Sequence, residues 1–133
     1  MNFETLHNII RTRFKTQVVD EGTLKVHYDN APFEEPDGVI WTRLTIHHST
    51  RQQVEIGKTK RFRVYGQMIA QLFEPVEGGD QGASQLADTI NDAFISVTDT
   101  GVTFQTPFID RVGRDGKWYQ VNVVCPFYAD ATK

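Results

Sequence analysis

The residues of this chain that could carry out chemistry are few, and their spacing does not favour it. His47 and His48 are adjacent. On a strand their side chains point to opposite faces, so one metal ion cannot easily use both. His7 and His27 stand alone, with no carboxylate or second histidine at a ligand spacing such as HExxH, and read as structural. Paired carboxylates occur at Glu34-Glu35 and at Asp88 with Asp92, the latter pair on one helical face. Acid-base work needs such a pair inside a pocket that perturbs its pKa values, and solvated acidic faces are far commoner. The single cysteine, Cys125, cannot form an internal disulfide or build a thiolate metal site. Gly78-Gly79-Asp80-Gln81-Gly82 at a helix start offers free amides to an anion, but Glu74, Glu77 and Asp80 surround it with like charge. No glycine-rich phosphate loop, serine nucleophile elbow or cysteine-histidine motif is present. The reading is a protein that is not an enzyme, with no cofactor and no metal.

The elements that must position these side chains belong to one domain, residues 1–133. Nine Phe, four Tyr and two Trp in a chain that is 39% apolar can fill a core of this size. No apolar run approaches the roughly 20 residues that span a bilayer, and the opening lacks the basic-then-apolar order of a secretory signal. The expectation is a soluble protein made in a cytoplasm, with no membrane partner. Phe3, Leu6, Ile10, Phe14 and Val18 recur at steps of three or four, which predicts a helix over residues 2–19 with Asn2 at its cap. A short extended piece follows at Leu24, Val26 and Tyr28, then a loop from Asp29 to Gly38 that holds Pro32 and Pro36.

Val39 to His48 alternates with period two, Ile40, Leu44 and Ile46 on one side. Ser49 to Lys60 is polar and too long for a tight turn, so it reads as an extended arm or flexible hairpin. The longest strand is expected over Arg61 to Phe73, with Gly66 marking a bulge or a close backbone approach. After Gly78-Gly79, Asp80 can cap a second helix whose stripe is Ala83, Leu86, Ala87, Ile90, Ala93, Phe94 and Val97. Val102 to Val112 reads as extended, Gly113 to Gly116 as a turn, and Lys117 to Phe127 as a strong strand in which Cys125 is a small core residue. The fold class is α+β: a mostly antiparallel mixed sheet with both helices packed on one face, because each element has one apolar side to bury.

Charge says more than any catalytic motif. Arg51, Lys58, Lys60, Arg61 and Arg63 lie within thirteen residues, with only Glu55 opposing. Glu74 to Asp92 holds five acids and no base. Two patches of opposite sign suit a heterologous contact, the basic patch of one subunit meeting the acidic patch of the next and closing a ring. The plainer account is an ordinary mixed surface. On the ring reading, Arg51, Lys58, Lys60 and Arg61 face Asp80, Asp88 and Asp92 across subunits. The loop carrying Asp29 and Asp37 is a second contact candidate. The alternative of another class is a small nucleic-acid-binding module using the basic 51–63 stretch with Phe62, Tyr65 and Trp41. The net charge of −3 weighs against it, since phosphate binding usually shows a clear positive excess.

Several phrases in order resemble the phage tail terminator family, with its small minor-tail-protein relatives found in prophages. They are Asn2-Phe3-Glu4, Tyr28-Asp29-Asn30-Ala31-Pro32-Phe33, Pro36-Asp37-Gly38 and Trp41-Thr42-Arg43-Leu44-Thr45-Ile46. Further on come Ala87-Asp88-Thr89-Ile90 with Ala93-Phe94, Thr106-Pro107 and Val112-Gly113-Arg114-Asp115-Gly116. Trp118-Tyr119-Gln120-Val121-Asn122-Val123 and Cys125-Pro126-Phe127-Tyr128 complete the set. The resemblance implies a small α+β domain that assembles into a ring, usually of six, on the head-proximal end of the tail tube. It implies a cap that ends tube polymerisation, contacts with a tube protein and a head-tail connector protein, and DNA passing through the lumen without specific binding. It places the protein in the virion tail, assembled in the host cell cytoplasm, with no catalytic residues and no cofactor. The Ser49 to Lys60 arm has no counterpart among these phrases.

Overall fold

A computed structural model of the chain describes residues 3–19, 25–28, 38–53, 61–76 and 81–132. Helix α1 spans Phe3–Phe14 and continues as a wider-wound π turn, Lys15–Val19. Helix α2 spans Gln81–Phe94. The strands are β1 (Lys25–Tyr28), β2 (Trp41–Gln53), β3 (Arg61–Pro75), β4 (Thr98–Asp99), β5 (Val102–Phe104), β6 (Phe108–Asp115) and β7 (Trp118–Thr132). They form one sheet in the order β1-β2-β3-β7-β5-β4, with β6 also on β7. Every pairing is antiparallel except β1 with β2, which is parallel. This is the α+β fold that the apolar patterning requires.

The period-two alternation decides which side of the sheet the helices cover. In one row Leu44 pairs with Ala70 and Ala70 with Val123; in the next, Ile46 pairs with Met68 and Met68 with Cys125. These side chains are buried together with Leu6, Ile10 and Phe14 of α1 and Ala83, Ala87, Ile90 and Phe94 of α2. Both helices therefore lie on one face, and their apolar stripes meet the inward parity of β2, β3 and β7. The opposite face carries a separate aromatic cluster, Trp41, Phe73 and Trp118. Trp41 stacks on Phe73 at 4.3 Å and meets Trp118 edge-on at 6.1 Å.

Gly66 shows why that strand position lacks a side chain. A Cβ there would meet the His47 carbonyl oxygen and come within 2.7 Å of the Phe127 ring. The register of β2 on β3 also slips beside it, between His48 and Thr50, so both the expected bulge and the expected close approach are present. Gly66→Ala should cost about 1–3 kcal/mol, because backbone and a buried ring must move to admit one methyl group. A urea titration that leaves stability unchanged would show the strand pair to be more yielding than this packing implies.

Several boundaries differ from expectation. β2 runs on to Gln53, so Ser49 to Gln53, expected within an extended arm or flexible hairpin, continues the strand; antiparallel pairing with Phe62, Arg63, Val64 and Tyr65 supplies its backbone partners. The extended run Val102 to Val112 divides into β5 and β6. Both pair with the same edge of β7, β5 near its end and β6 near its start, and Gln105–Pro107 carries the chain from one to the other. The final turn is the two residues Gly116 and Lys117, with Gly116 at φ +60°, because β6 keeps its pairing through Asp115. Helix α2 stops at Phe94, leaving Val97 outside its stripe. Asn2, Asp80, the Gly78-Gly79 turn, residues 54–60 of the arm and the loop up to Asp37 lie outside the described residues.

Candidate assembly surface

The sequence-derived interface residues fall into three groups. Arg51 lies in β2 opposite Val64, and Arg61 opens β3 opposite Thr132, so the two strands bring them to the same end of the sheet. Asp88 and Asp92 are both exposed, one helical turn apart on the outer face of α2. Lys58, Lys60, Asp80, Asp29 and Asp37 lie outside the described residues.

Two charges of the presumed patches are used inside the molecule. Arg63 forms a fork with Asp130, Nε to Oδ1 at 2.8 Å and Nη2 to Oδ2 at 3.3 Å, and its guanidinium lies 4.6 Å from the centre of the Tyr128 ring. The hydrogen bonds to Asp130 raise the Arg63 pKa above its ordinary value. Glu74, placed by sequence in the acidic stretch, is only 8% exposed. Its two oxygens accept the backbone N–H of Gly82 at 3.2 Å and of Ala83 at 2.6 Å, at the start of α2. The carboxylate thus satisfies two amides that a helix N-terminus leaves unpaired, and its charge sits at the favourable end of the helix dipole. Gly82 makes this approach available, since a Cβ there would lie 2.7 Å from Oε1 of Glu74.

Among the described residues the chemistry-bearing side chains lie apart from one another. His47 is exposed on the face away from the helices, and His48 follows it in the alternating strand. Cys125 is fully buried, and burial pushes its thiol up to about 12. The folded state therefore holds a proton that the unfolded chain releases near the ordinary value of 9.0. Between about pH 9 and 12 stability should fall with rising pH, by about 1.4 kcal/mol per unit from this group, fully present below that window. Comparing denaturation midpoints of the wild type and Cys125→Ala at pH 8 and pH 10.5 isolates the effect; parallel pH curves would contradict it. Among the described residues no group of three or more His, Cys, Asp or Glu could hold a metal ion.

Sequence reasoning missed two features. Arg13 reaches across from α1 to the end of α2, donating from Nε (2.9 Å) and Nη2 (2.6 Å) to the Ala93 carbonyl and pairing with Asp99 at 3.4 Å. It closes an orphan helix C-terminal carbonyl from another element, which no local motif announces. The second is β6, where Phe108, Ile109 and Val112 are 52%, 45% and 51% exposed. The sequence marked this stretch only as extended; that both faces of the strand are exposed was not visible in it.

Trp41, Phe62 and Tyr65, the aromatics of the nucleic-acid alternative, do not form an open stacking platform. Trp41 is 3% exposed beneath Phe73 and Arg43, Phe62 is half-buried, and Tyr65 leans on Tyr128 at 6.3 Å between ring centres.

The chain is a single α+β domain, a curled, mostly antiparallel sheet with two helices on one face and exposed apolar side chains on β6. The family model described as phage tail terminator protein matches residues 5–127, and the chain belongs to that family. It is a structural component of the phage tail. A solved structure designated only by a sequence number shares the fold, with 16% identity, a TM-score of 0.68 and coverage of 92% of this chain and 94% of that one. No curated protein matches the chain. Among the described residues no helix is long and apolar enough to cross a membrane.

Proposed function

We propose that this protein caps the head-proximal end of the tail tube, ending tube polymerisation and offering a surface for head-tail joining. The family match across nearly the whole chain carries this reading. Copies of the chain close into a ring, six in number, between the tube protein and the head-tail connector protein. A domain of this length has a radius of gyration of about 14 Å, so several copies are needed to surround a tube that passes DNA. At −3 per chain, six copies carry 6 × −3 = −18, and an acidic lumen lets DNA slide through without holding it. The protein acts in the virion tail after assembly in the host cytoplasm, without catalysis.

The charged candidates take their places on this reading. Arg51 and Arg61 with Lys58 and Lys60 supply the basic side of a subunit contact, and Asp88 and Asp92 with Asp80 the acidic side. Asp29 and Asp37 face the tube or the connector. Reversing Lys60 and Arg61 to Glu should weaken oligomerisation, most at low salt where screening is least. Unchanged assembly at every ionic strength would remove these residues from the contact. Native mass spectrometry tests the ring itself: six copies of 15.2 kDa give about 91 kDa. A species held at any other copy number across concentrations would refute the hexamer.

A further inference from the structure

We propose that β6 is the strand by which one copy of this chain joins the next, adding antiparallel to the opposite margin of the neighbour's sheet, formed by β1 and the part of β2 that extends past it. The proposal rests on the ring reading and names its seam. β6 is paired with β7 on one side, and among the described residues no strand lies on its other side. β6 carries the exposed charges Asp110 and Arg111 and a register slip before Gly113, devices that restrict edge pairing, but it also exposes Phe108 and Ile109 to opposite faces and Val112 further along. Three of the five large apolar side chains that are exposed among the described residues sit on this one strand. An apolar edge of that kind is a pairing template.

The occupant is a second copy in a head-to-tail arrangement, because self-pairing fails on charge and geometry. Two copies of β6 related by a two-fold axis place each residue opposite one of the same side parity. Centring the pair on Asp110 sets Asp110 against itself, and centring it on Arg111 sets Arg111 against itself; like charges directly opposite are destabilising. A centre at Val112 falls on the register slip between Arg111 and Gly113. A centre at Ile109 brings in Pro107, which has no N–H to give.

The opposite margin fits instead. β6 is antiparallel to β7, β7 to β3 and β3 to β2, while β1 runs parallel to β2, so β6 runs opposite to β1 and β2. Rotation about a ring axis therefore sets β6 against that margin as an ordinary antiparallel neighbour, with all helices kept on one side. On the helix side, Ile109 shares parity with Val26 and Tyr28, both half-buried. On the other side, Asp110 shares parity with His27, Arg43 and His47, an acid brought against a basic margin. A heterologous contact of this kind closes rings.

Native mass spectrometry of the wild type, the double variant Ile109→Lys with Val112→Asp, and a control, Asn8→Lys on the exposed face of α1, tests the seam. Because the replaced side chains are exposed in the single chain, the variant should stay folded and unfold cooperatively, losing only the stabilisation that assembly adds. The concentration needed for assembly should rise roughly tenfold or more, equivalent to about 1.4 kcal/mol, and the control should assemble normally. Full assembly of the double variant beside a wild-type ring would overturn the seam and leave the ring standing. A wild-type monomer would overturn the ring and the seam with it. Oxidised Asp110→Cys combined with His27→Cys should give a covalent ladder of several copies. Covalent dimers from Asp110→Cys alone, with no ladder from the pair, would show β6 pairing with itself and overturn the proposal.

Discussion

Phe94→Ala should destabilise the protein by about 3–5 kcal/mol, lowering Tm by roughly 10–20 °C in a domain of this size. Phe94 is fully buried at the end of α2, with its ring 4.9 Å from Phe104 in a T-shaped contact and 6.3 Å from Phe14 of α1. The Arg13 guanidinium lies 5.6 Å from its centre. Truncation removes the aromatic pairs and leaves a cavity where α1, α2 and β5 converge, and rigid strands on one side limit its collapse. Domains of this kind have only about 5–15 kcal/mol of total stability, so the variant should sit near its unfolding threshold at growth temperature. Denaturant titration with an unchanged m-value checks this; a loss below about 1 kcal/mol would mean the core repacks freely around the gap.

Glu74→Ala ranks second, at about 2–3 kcal/mol. The side chain is buried, and its removal leaves the amides of Gly82 and Ala83 without their acceptors at the start of α2. It also removes a negative charge from the positive end of the helix dipole. Glu74→Gln keeps one acceptor oxygen without the charge and should cost about half as much, so the two variants separate hydrogen bonding from charge. Equal stability of Glu74→Ala and wild type in urea would show that water or another group replaces the carboxylate.

These two residues show where sequence patterning was informative and where it stopped. Phe94 was legible as a member of the α2 stripe, because helical spacing fixes which side chains share a face. The parity of β2, β3 and β7, the placement of both helices on one side and the special character of Gly66 were legible for the same reason. Glu74 was misread as surface acid, since its role comes from a contact with the start of a helix eight and nine residues further on, and linear charge counts cannot see it. Arg63 was misread likewise, its partner Asp130 lying on a strand far along the chain. The extension of β2 to Gln53 came from pairing with β3, a tertiary effect that polar composition in Ser49 to Gln53 concealed. The exposed edge of β6 depends on which strands share the margin of β7, and only the assembled sheet reveals that. The family resemblance, by contrast, rested on phrases spread across the chain, and the match over residues 5–127 agrees with it.

The central claim is that this chain stops the growth of a tail tube, and tube length is its most direct readout. Purified tube protein of the same phage should be polymerised with and without this chain and the tube lengths measured by electron microscopy. The account predicts that adding the chain arrests elongation, with the protein found at one end of each tube. Tubes that keep lengthening with the chain present, or that carry it along their sides, would contradict it.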